Sequence, residues 1–278
     1  MTENMKQETV LVTAATGKTG RRVAERLAAH GVRVRAGSRK GDVVFDWEDE
    51  STWAQALQGA DAAYVAYYPD LAAPGAPEAM RAFGRVAASS GVRSLVLLSG
   101  RGEPEAVVAE DELRQSGLDL TVVRASFFAQ NFNEGAMYEG VLAGEIAFPA
   151  GGTAEPFIDA DDLADVVVAA LTEEGHAGRV HEVTGPRLVT FEEVASEIGR
   201  ATGKEVRYIP VSGAEYAQML QQYGLPAPDA DWLAGLFAML LDGHNAALTN
   251  GVQQVLGRAP KDFAAFAREA AESGVWSA

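Results

Sequence analysis

The chain has 278 residues, 47% of them apolar, a formal charge of −16 and no cysteine. That length holds one large α/β domain or a domain with a small lobe, the charge argues against nucleic acid or an anionic membrane as partner, and the missing thiols exclude disulfides, thiolate catalysis and Cys-ligated metal. No run approaches the ~18 apolar residues of a membrane span, the opening MTENMKQE has no apolar signal core, and the scattered His30, His176, His181 and His244 lack metal-ligand spacing, so a cytoplasmic protein without a metal is expected.

The first feature in chain order is Glu8–Gly31, ETVLVTAATGKTGRRVAERLAAHG. A β-branched run (Val10, Leu11, Val12) stops at Thr13, crosses a turn of small residues and enters an amphipathic helical pattern. This order suits a dinucleotide pyrophosphate: amides at the helix start point at the anion, the helix dipole favours negative charge, and missing side chains let the ligand approach the backbone. The glycine pattern is imperfect, because Ala14 stands where G-x-x-G-x-x-G would begin, and a closely packed βα turn is the competing reading. Val23, Ala24, Leu27 and Ala28 are the expected buried face, and Gly31 ends the helix.

A second strand, Val32–Gly37, ends at Ser38, Arg39 and Lys40, and no acid occurs between Ala29 and Gly41. A carboxylate at this strand tip accepts from the 2′-hydroxyl of NAD, whereas an arginine pairs with the 2′-phosphate of NADP. Arg39 therefore points to NADP(H) over NAD(H), with a solvated arginine as the alternative. Val43–Phe45 reads as a third strand, after which Asp46 and Trp47 either border the adenine or form a buried Trp with a capping Asp. A helix is expected over Glu48–Gln58. The strand Ala62–Tyr68 includes Ala66 and carries Tyr67 and Tyr68 at its tip, to wall a nicotinamide pocket or join the core. Beyond the Ala/Pro/Gly-rich loop Asp70–Pro77 come a helix (Glu78–Ser90), an apolar strand (Ser94–Ser99), a helix (Glu105–Ser116) and a strand (Leu120–Arg124) leading into Ala125, Ser126, Phe127 and Phe128. Such alternation predicts a doubly wound, parallel-sheet Rossmann α/β fold with its site beyond the carboxyl ends of the strands.

The second half is less regular. Glu145–Pro149, Arg179–Thr184 and Val206–Val211 read as strands, and Asp159–Leu171 as a helix with Asp161 and Asp162 at its start. Thr190 and Glu193 form a capping box for a helix over Phe191–Thr202, and three more helices follow near Ala214–Tyr223, Asp229–Leu241 and Pro260–Ser273. Residues 1–150 are expected to form the cofactor-binding core. Residues 151–278 should complete the sheet and build a small, mostly helical substrate lobe. Phe127, Phe128, Phe132, Tyr216, Trp232 and Phe237 are expected to wall an apolar substrate, or else to be lobe core. Leu233, Leu236, Phe237, Leu240 and Leu241 make a broad apolar face that suits a homodimer contact.

These segments give the chain a family resemblance. VLVTAATGKTGRRV, GSRK, SGLDLTVVRASFFAQNF, IDADDLADVVVAAL and LGRAPKDFAAFAREAAESGVW together resemble the NmrA-like branch of the atypical short-chain dehydrogenase/reductases. The resemblance implies an NADP-binding Rossmann fold with a C-terminal substrate lobe. The implied activities run from NADPH-dependent reduction of quinones, enones and imines to redox sensing without turnover. By position it assigns Gly17, Lys18, Thr19 and Gly20 to the phosphates, Arg39 to the 2′-phosphate, Ser99 and Gly100 to the strand end beneath the cofactor, and Ala125 to Phe128 to the loop over the nicotinamide. Thr13, Ala15, Thr16, Ser38, Asp46, Trp47 and Ala66 complete the expected cofactor set. The wider superfamily's Tyr-x-x-x-Lys pair would fall near Glu103 and Val107, and no Tyr or Lys occurs from Gly91 to Gln130, which excludes that pair as proton source.

Hydride transfer itself asks the protein mainly for positioning. A quinone can take its proton from water, whereas an unactivated ketone forgoes roughly 10²–10⁴-fold without a general acid. Tyr67, Tyr68 and Ser99 are the candidate catalytic groups, with His244 more distant. Ser99 otherwise reads as a strand-end hydroxyl, and Glu110 as a solvated helix residue. The expected function is NADP(H)-dependent reduction of an apolar conjugated small molecule, the alternative being a non-catalytic NADP(H) sensor acting through a protein partner.

Overall fold

A computed structural model describes residues 8–277, so Met1–Gln7 of the polar opening lie outside it. The chain forms two compact units that interleave in sequence. The first holds the chain through Ala125 with Ala160–Val183 and Gly251–Arg258; the second holds Ser126–Asp159, Thr184–Asn250 and Ala259–Ala278. The chain thus divides first at Ala125 rather than at residue 150, and later segments return to the first unit.

In chain order the first unit builds β1 (Thr9–Val12), α1 (Lys18–Ala29), β2 (Arg33–Ser38), β3 (Val43–Val44), α2 (Trp53–Leu57), β4 (Ala62–Val65), α3 (Ala76–Ser89), β5 (Ser94–Gly100), α4 (Pro104–Arg114) and β6 (Asp119–Ala125). The second unit then begins with α5 (Tyr138–Ala143), β7 (Glu145–Phe148) and β8 (Ala154–Glu155). The chain returns for α6 (Ala160–Thr172) and β9 (Val180–Val183), and leaves again for β10 (Val189–Thr190), α7 (Phe191–Thr202), β11 (Arg207–Pro210), α8 (Gly213–Gln222) and α9 (Ala227–Leu240). Next, α10 (Gly251–Leu256) belongs to the first unit and α11 (Phe263–Glu272) to the second.

Seven strands pair in the order β3-β2-β1-β4-β5-β6-β9, every neighbour parallel. The fold is the Rossmann-like α/β arrangement that the alternation predicts. Strands covered on both faces read as unbroken apolar runs, and every residue of β1 and β4 is buried. The order explains the interleaving. Without β9 the ladder of β6 would be an open edge, and an open edge invites pairing. Gly251 lets α10 close on this strand, because a Cβ there would overlap the Glu182 carbonyl oxygen. Since β1 is flanked by β2 and β4, the direction of winding reverses beside it, and ligands of such sheets bind outside the carboxyl ends at that point.

Local chemistry explains where the elements depart from expectation. The helix anticipated over Glu48–Gln58 is a 3₁₀ turn, Glu50–Thr52, followed by the short α2. The Asp49 carboxylate accepts from Ser51 N at 3.0 Å and Ser51 Oγ at 2.6 Å, a local alternative to helical bonding. On α1, Val23 and Leu27 are fully buried, Ala24 is half-buried and Ala28 is exposed, so the apolar stripe is narrower than its spacing suggests.

In the second unit β7 pairs with β11 in parallel, and β8 with β10 antiparallel. Phe132, Phe148, Phe157, Phe191 and Phe263 form its core. The Thr190 box caps α7: Glu193 N donates to Thr190 Oγ1 at 3.2 Å and Thr190 N donates to Glu193 Oε2 at 2.8 Å. The Thr190 N–H and hydroxyl, both donating to Glu193 Oε2, hold the Glu193 carboxyl below its ordinary range.

Candidate functional site

The turn after β1 is built by close backbone approach. Ala14 adopts φ 49°, a left-handed conformation that costs a non-glycine residue of order 1–3 kcal/mol. Its carbonyl oxygen then faces α1: a Cβ on Gly17 would lie 3.1 Å from it, and a Cβ on Gly20 would overlap it. The two glycines therefore let the helix start against the strand. Thr13, Ala15 and Thr19 turn inward. Thr13 is fully buried, its Oγ1 accepting from Ala66 N at 2.8 Å and donating to Tyr64 O at 3.1 Å, and Thr19 Oγ1 accepts from the Tyr64 hydroxyl at 3.0 Å. Burial pushes the Tyr64 phenol up. Ala15 N donates to Gly37 O at 3.0 Å. Thr13 is thus a joint between strands and presents no surface to a cofactor.

Thr16 is exposed, and Gly17 and Lys18 are half-buried. Gly17 is the N-cap of α1; among the described residues no side chain caps the helix, and no acid lies in its first turn. An uncapped, acid-free helix start at the reversal of the sheet fits a pyrophosphate. Arg39 follows β2 at the same carboxyl edge and is exposed, as is Lys40. Asp46 and Trp47 join an aromatic cluster. The Trp47 ring lies 4.8 Å from Phe45, 5.0 Å from Tyr67 and 5.2 Å from Phe83, with Nε1 donating to Ala66 O at 2.9 Å, while Trp53 Nε1 donates to Asp46 O at 2.7 Å.

The candidate catalytic residues fall in unequal places. Tyr68 is 68% exposed. Tyr67 is half-buried beside Trp47, its phenol raised by burial and by Glu48 and Glu78, which makes it a weaker acid. Ser99 is buried and donates to Glu110 Oε1 at 2.6 Å. His244 is exposed, its Nδ1 2.6 Å from Asp242 Oδ1. Glu110 is fully buried rather than solvated: Arg124 Nε and Nη2 donate to its two oxygens at 2.9 and 2.7 Å. The signal for this pair was the single arginine ending the apolar strand Leu120–Arg124, since a cation among buried residues needs a carboxylate. Beside it, Arg101 Nε donates to Glu182 Oε2 at 3.3 Å. Gly100 ends β5, and Glu103 and Asp70 meet close to it.

In the second unit, Ser126 is buried and donates to Pro156 O at 2.6 Å. Phe127 and Phe128 are half-buried; the Phe127 ring lies 5.8–5.9 Å from Phe148, Phe157 and Phe237. Tyr216 packs on Phe148 and Phe237 at 5.1 and 5.9 Å, and burial raises its phenol to about 12. Trp232 and Phe237 are half-buried on α9. Phe132 has no exposed surface, being enclosed by Phe157, Phe191 and Phe263, and belongs to the core rather than to a substrate wall. No helix of the described residues is long and apolar enough to cross a membrane, and no metal-holding cluster occurs among them.

A family model described as NAD(P)H-binding matches residues 14–174, and one described as NmrA-like family matches residues 107–262. The chain belongs to the NmrA-like family. An uncharacterized oxidoreductase, YesF, of Bacillus subtilis (strain 168), is 32% identical over 284 residues, covering 98% of each chain. An NAD(P)H azoreductase of Xenophilus azovorans is 30% identical over 256 residues, covering 88% of this chain and 85% of its own. The NADPH-dependent quinone oxidoreductase QOR2 of Escherichia coli, solved in complex with NADPH, shares the fold at a TM-score of 0.75 and 23% identity, covering 94% of this chain and 99% of its own.

Proposed function

We propose that this NmrA-like protein is an NADPH-dependent reductase of apolar, conjugated small molecules: quinones, enones, imines or related carbonyls. One observation carries the reading, the acid-free start of α1 packed through Gly17 and Gly20 against the carboxyl end of β1. A dinucleotide pyrophosphate suits that place, with Thr16, Gly17 and Lys18 facing it. Arg39, beyond β2, is the reader of the 2′-phosphate, and the guanidinium fork matches phosphate geometry. Ser38, Ala66, Gly100 and Ala125 border the same strand ends. Reduced nicotinamide supplies the hydride. Within the second unit, the half-buried Phe127, Phe128, Trp232 and Phe237 with Tyr216 make an apolar surface that suits a flat organic ligand, since such ligands bind in apolar surroundings with few polar groups. An NAD(P)H azoreductase and an NADPH-dependent quinone oxidoreductase are among the similar proteins, which supports a nicotinamide-dependent reduction.

The test is NADPH consumption by the pure protein over a panel of quinones, enones and imines. Turnover of at least one class is expected. Tight NADPH binding without turnover of any of them would instead favour the non-catalytic sensor.

A further inference from the structure

His176 and His181 lack a metal-ligand spacing in the sequence, yet the fold brings their rings together. His176 Nδ1 lies 3.0 Å from His181 Nε2, with the ring centroids 5.1 Å apart and the planes inclined at 67°. His181 belongs to β9, opposite Val123 of β6, and His176 sits in the connection that leads from α6 into β9. That connection is pinned to the start of β6: Thr121 Oγ1 donates to His176 O at 2.8 Å, and Gly178 N donates to Leu120 O at 2.9 Å. Arg179 N donates to the same His176 carbonyl at 3.0 Å. Both rings therefore project from backbone that is already held. The strands of this sheet are all parallel, so the pair lies at its amino edge, opposite the edge where the dinucleotide is placed.

Both imidazoles open on a cavity of about 680 Å³, lined also by Glu174, Arg179 and, from α10, Gln254 and Val255. Glu174 and Arg179 carry opposite charges, so what the cavity offers a cation is nitrogen. In the hydrogen-bonded pair one neutral ring donates its N–H to the lone pair of the other. Moving that hydrogen to the far nitrogen of the donor ring leaves two lone pairs facing the same space. Burial first, and then His176 and Arg179, lower the His181 imidazole, which keeps it in the neutral, ligating form near pH 7. Metal–nitrogen bonds of about 2.0–2.1 Å meeting at a right angle, as in tetragonal sites, span about 2.9 Å between nitrogens. The 3.0 Å of this pair is close to that span. No group of three or more His, Cys, Asp or Glu able to hold a metal occurs among the described residues, so the remaining positions fall to water.

We propose that His176 and His181 form a two-imidazole chelate for a tetragonal divalent transition metal, Cu²⁺ foremost and Ni²⁺ next. Imidazole suits these ions, whereas Mg²⁺ and Ca²⁺ take oxygen ligands. The ion binds His176 Nδ1 and His181 Nε2 together and displaces their shared hydrogen, which moves to the far nitrogen of the ring that donated it. No proton leaves and nothing is oxidised: two metal–nitrogen bonds form as two metal–water bonds break. The bound ion ties the connection before β9 to the strand itself, at the edge where that strand completes the sheet. The site is independent of the reductase reading.

The test uses the full chain without a histidine tag, titrated with Cu²⁺, Ni²⁺, Mg²⁺ and Ca²⁺ by calorimetry and with Cu²⁺ by electron paramagnetic resonance. One tight equivalent of Cu²⁺ is expected, with hyperfine structure from two nitrogens. Ni²⁺ should bind more weakly, and Mg²⁺ and Ca²⁺ should give no heat. His176→Gln and His181→Gln should each weaken the Cu²⁺ equivalent at least about tenfold, the lower end for losing even the partner that supports a ligand. Each should also leave a single nitrogen on the ion. Either variant suffices if circular dichroism shows it folded. His244→Gln removes an exposed imidazole beside Asp242 and should change neither affinity nor spectrum. Absence of Cu²⁺ binding by wild type would overturn the proposal and leave the pair as a hydrogen bond alone. An unchanged affinity and two-nitrogen spectrum in the His176 and His181 variants would do the same, as would an equal loss in His244→Gln, which would place the ion elsewhere.

Discussion

Gly20→Ala is expected to abolish tight NADPH binding and to cost about 3 kcal/mol of stability, the upper part of the range for overpacking. The reason is backbone geometry. The new methyl would overlap the Ala14 carbonyl oxygen, lie 2.7 Å from the Ala14 carbonyl carbon and lie 3.0 Å from Ala15 Cα. None of these atoms is a side-chain end that can swing aside, so α1 must back away from β1. The amides at its start then lose their aim at the pyrophosphate. Gly17→Ala should be milder, since its methyl meets the same oxygen at 3.1 Å and needs a shift of a few tenths of an ångström. Denaturant unfolding with NADPH calorimetry checks both variants. A Gly20→Ala protein that binds NADPH like wild type would show that the turn is only a packing device.

Glu110→Ala should cost about 3 kcal/mol, the lower end for breaking a buried ion pair. The lower end applies because the Arg124 side chain is 22% exposed and keeps a second acid, Glu182, at 3.7 Å. The loss nonetheless leaves a guanidinium and the Ser99 hydroxyl without their buried acceptor. It should lower the unfolding midpoint by roughly 6 °C or more. Asp111→Ala, one residue along α4, removes only an exposed pair with Arg114 and should change stability by less than about 0.5 kcal/mol. Equal losses from the two variants in thermal unfolding would contradict the burial argument.

Particular residues show how far the chain can be read before it is folded. β5 and β6 announce themselves because strands covered on both faces carry near-continuous apolar runs, here Leu95–Leu98 and Leu120–Val123 broken only by Thr121, and the Thr190–Glu193 box fixes the start of α7 because its two hydrogen bonds are local. Short elements such as α5 and α10 escape, since a turn and a half shows no periodicity and is held by tertiary packing. The interleaving of the units escapes for a related reason: that β9 completes the sheet beyond β6 depends on a long-range pairing. In the site, the phosphate turn is visible because backbone approach demands small residues there. The acids are not. Glu110 sits beside Asp111 and Glu112 in sequence, and only its distant partner Arg124 separates a core ion pair from a wet helix face. Phe132 and Phe237 look alike as apolar residues, yet one is enclosed and the other keeps an exposed edge. Apolarity alone does not tell core from ligand wall.

The central claim is that the amino-terminal turn holds a nicotinamide dinucleotide and that Arg39 selects the phosphorylated form. Calorimetric titration of wild type and Arg39→Ala with NADPH and with NADH tests it most directly. Wild type should bind NADPH at least about tenfold more tightly than NADH, and Arg39→Ala should erase that preference by weakening NADPH alone, a difference of about 1.4 kcal/mol or more. Equal losses for both nucleotides would contradict the role of Arg39, and no heat from wild type with either would contradict the site itself.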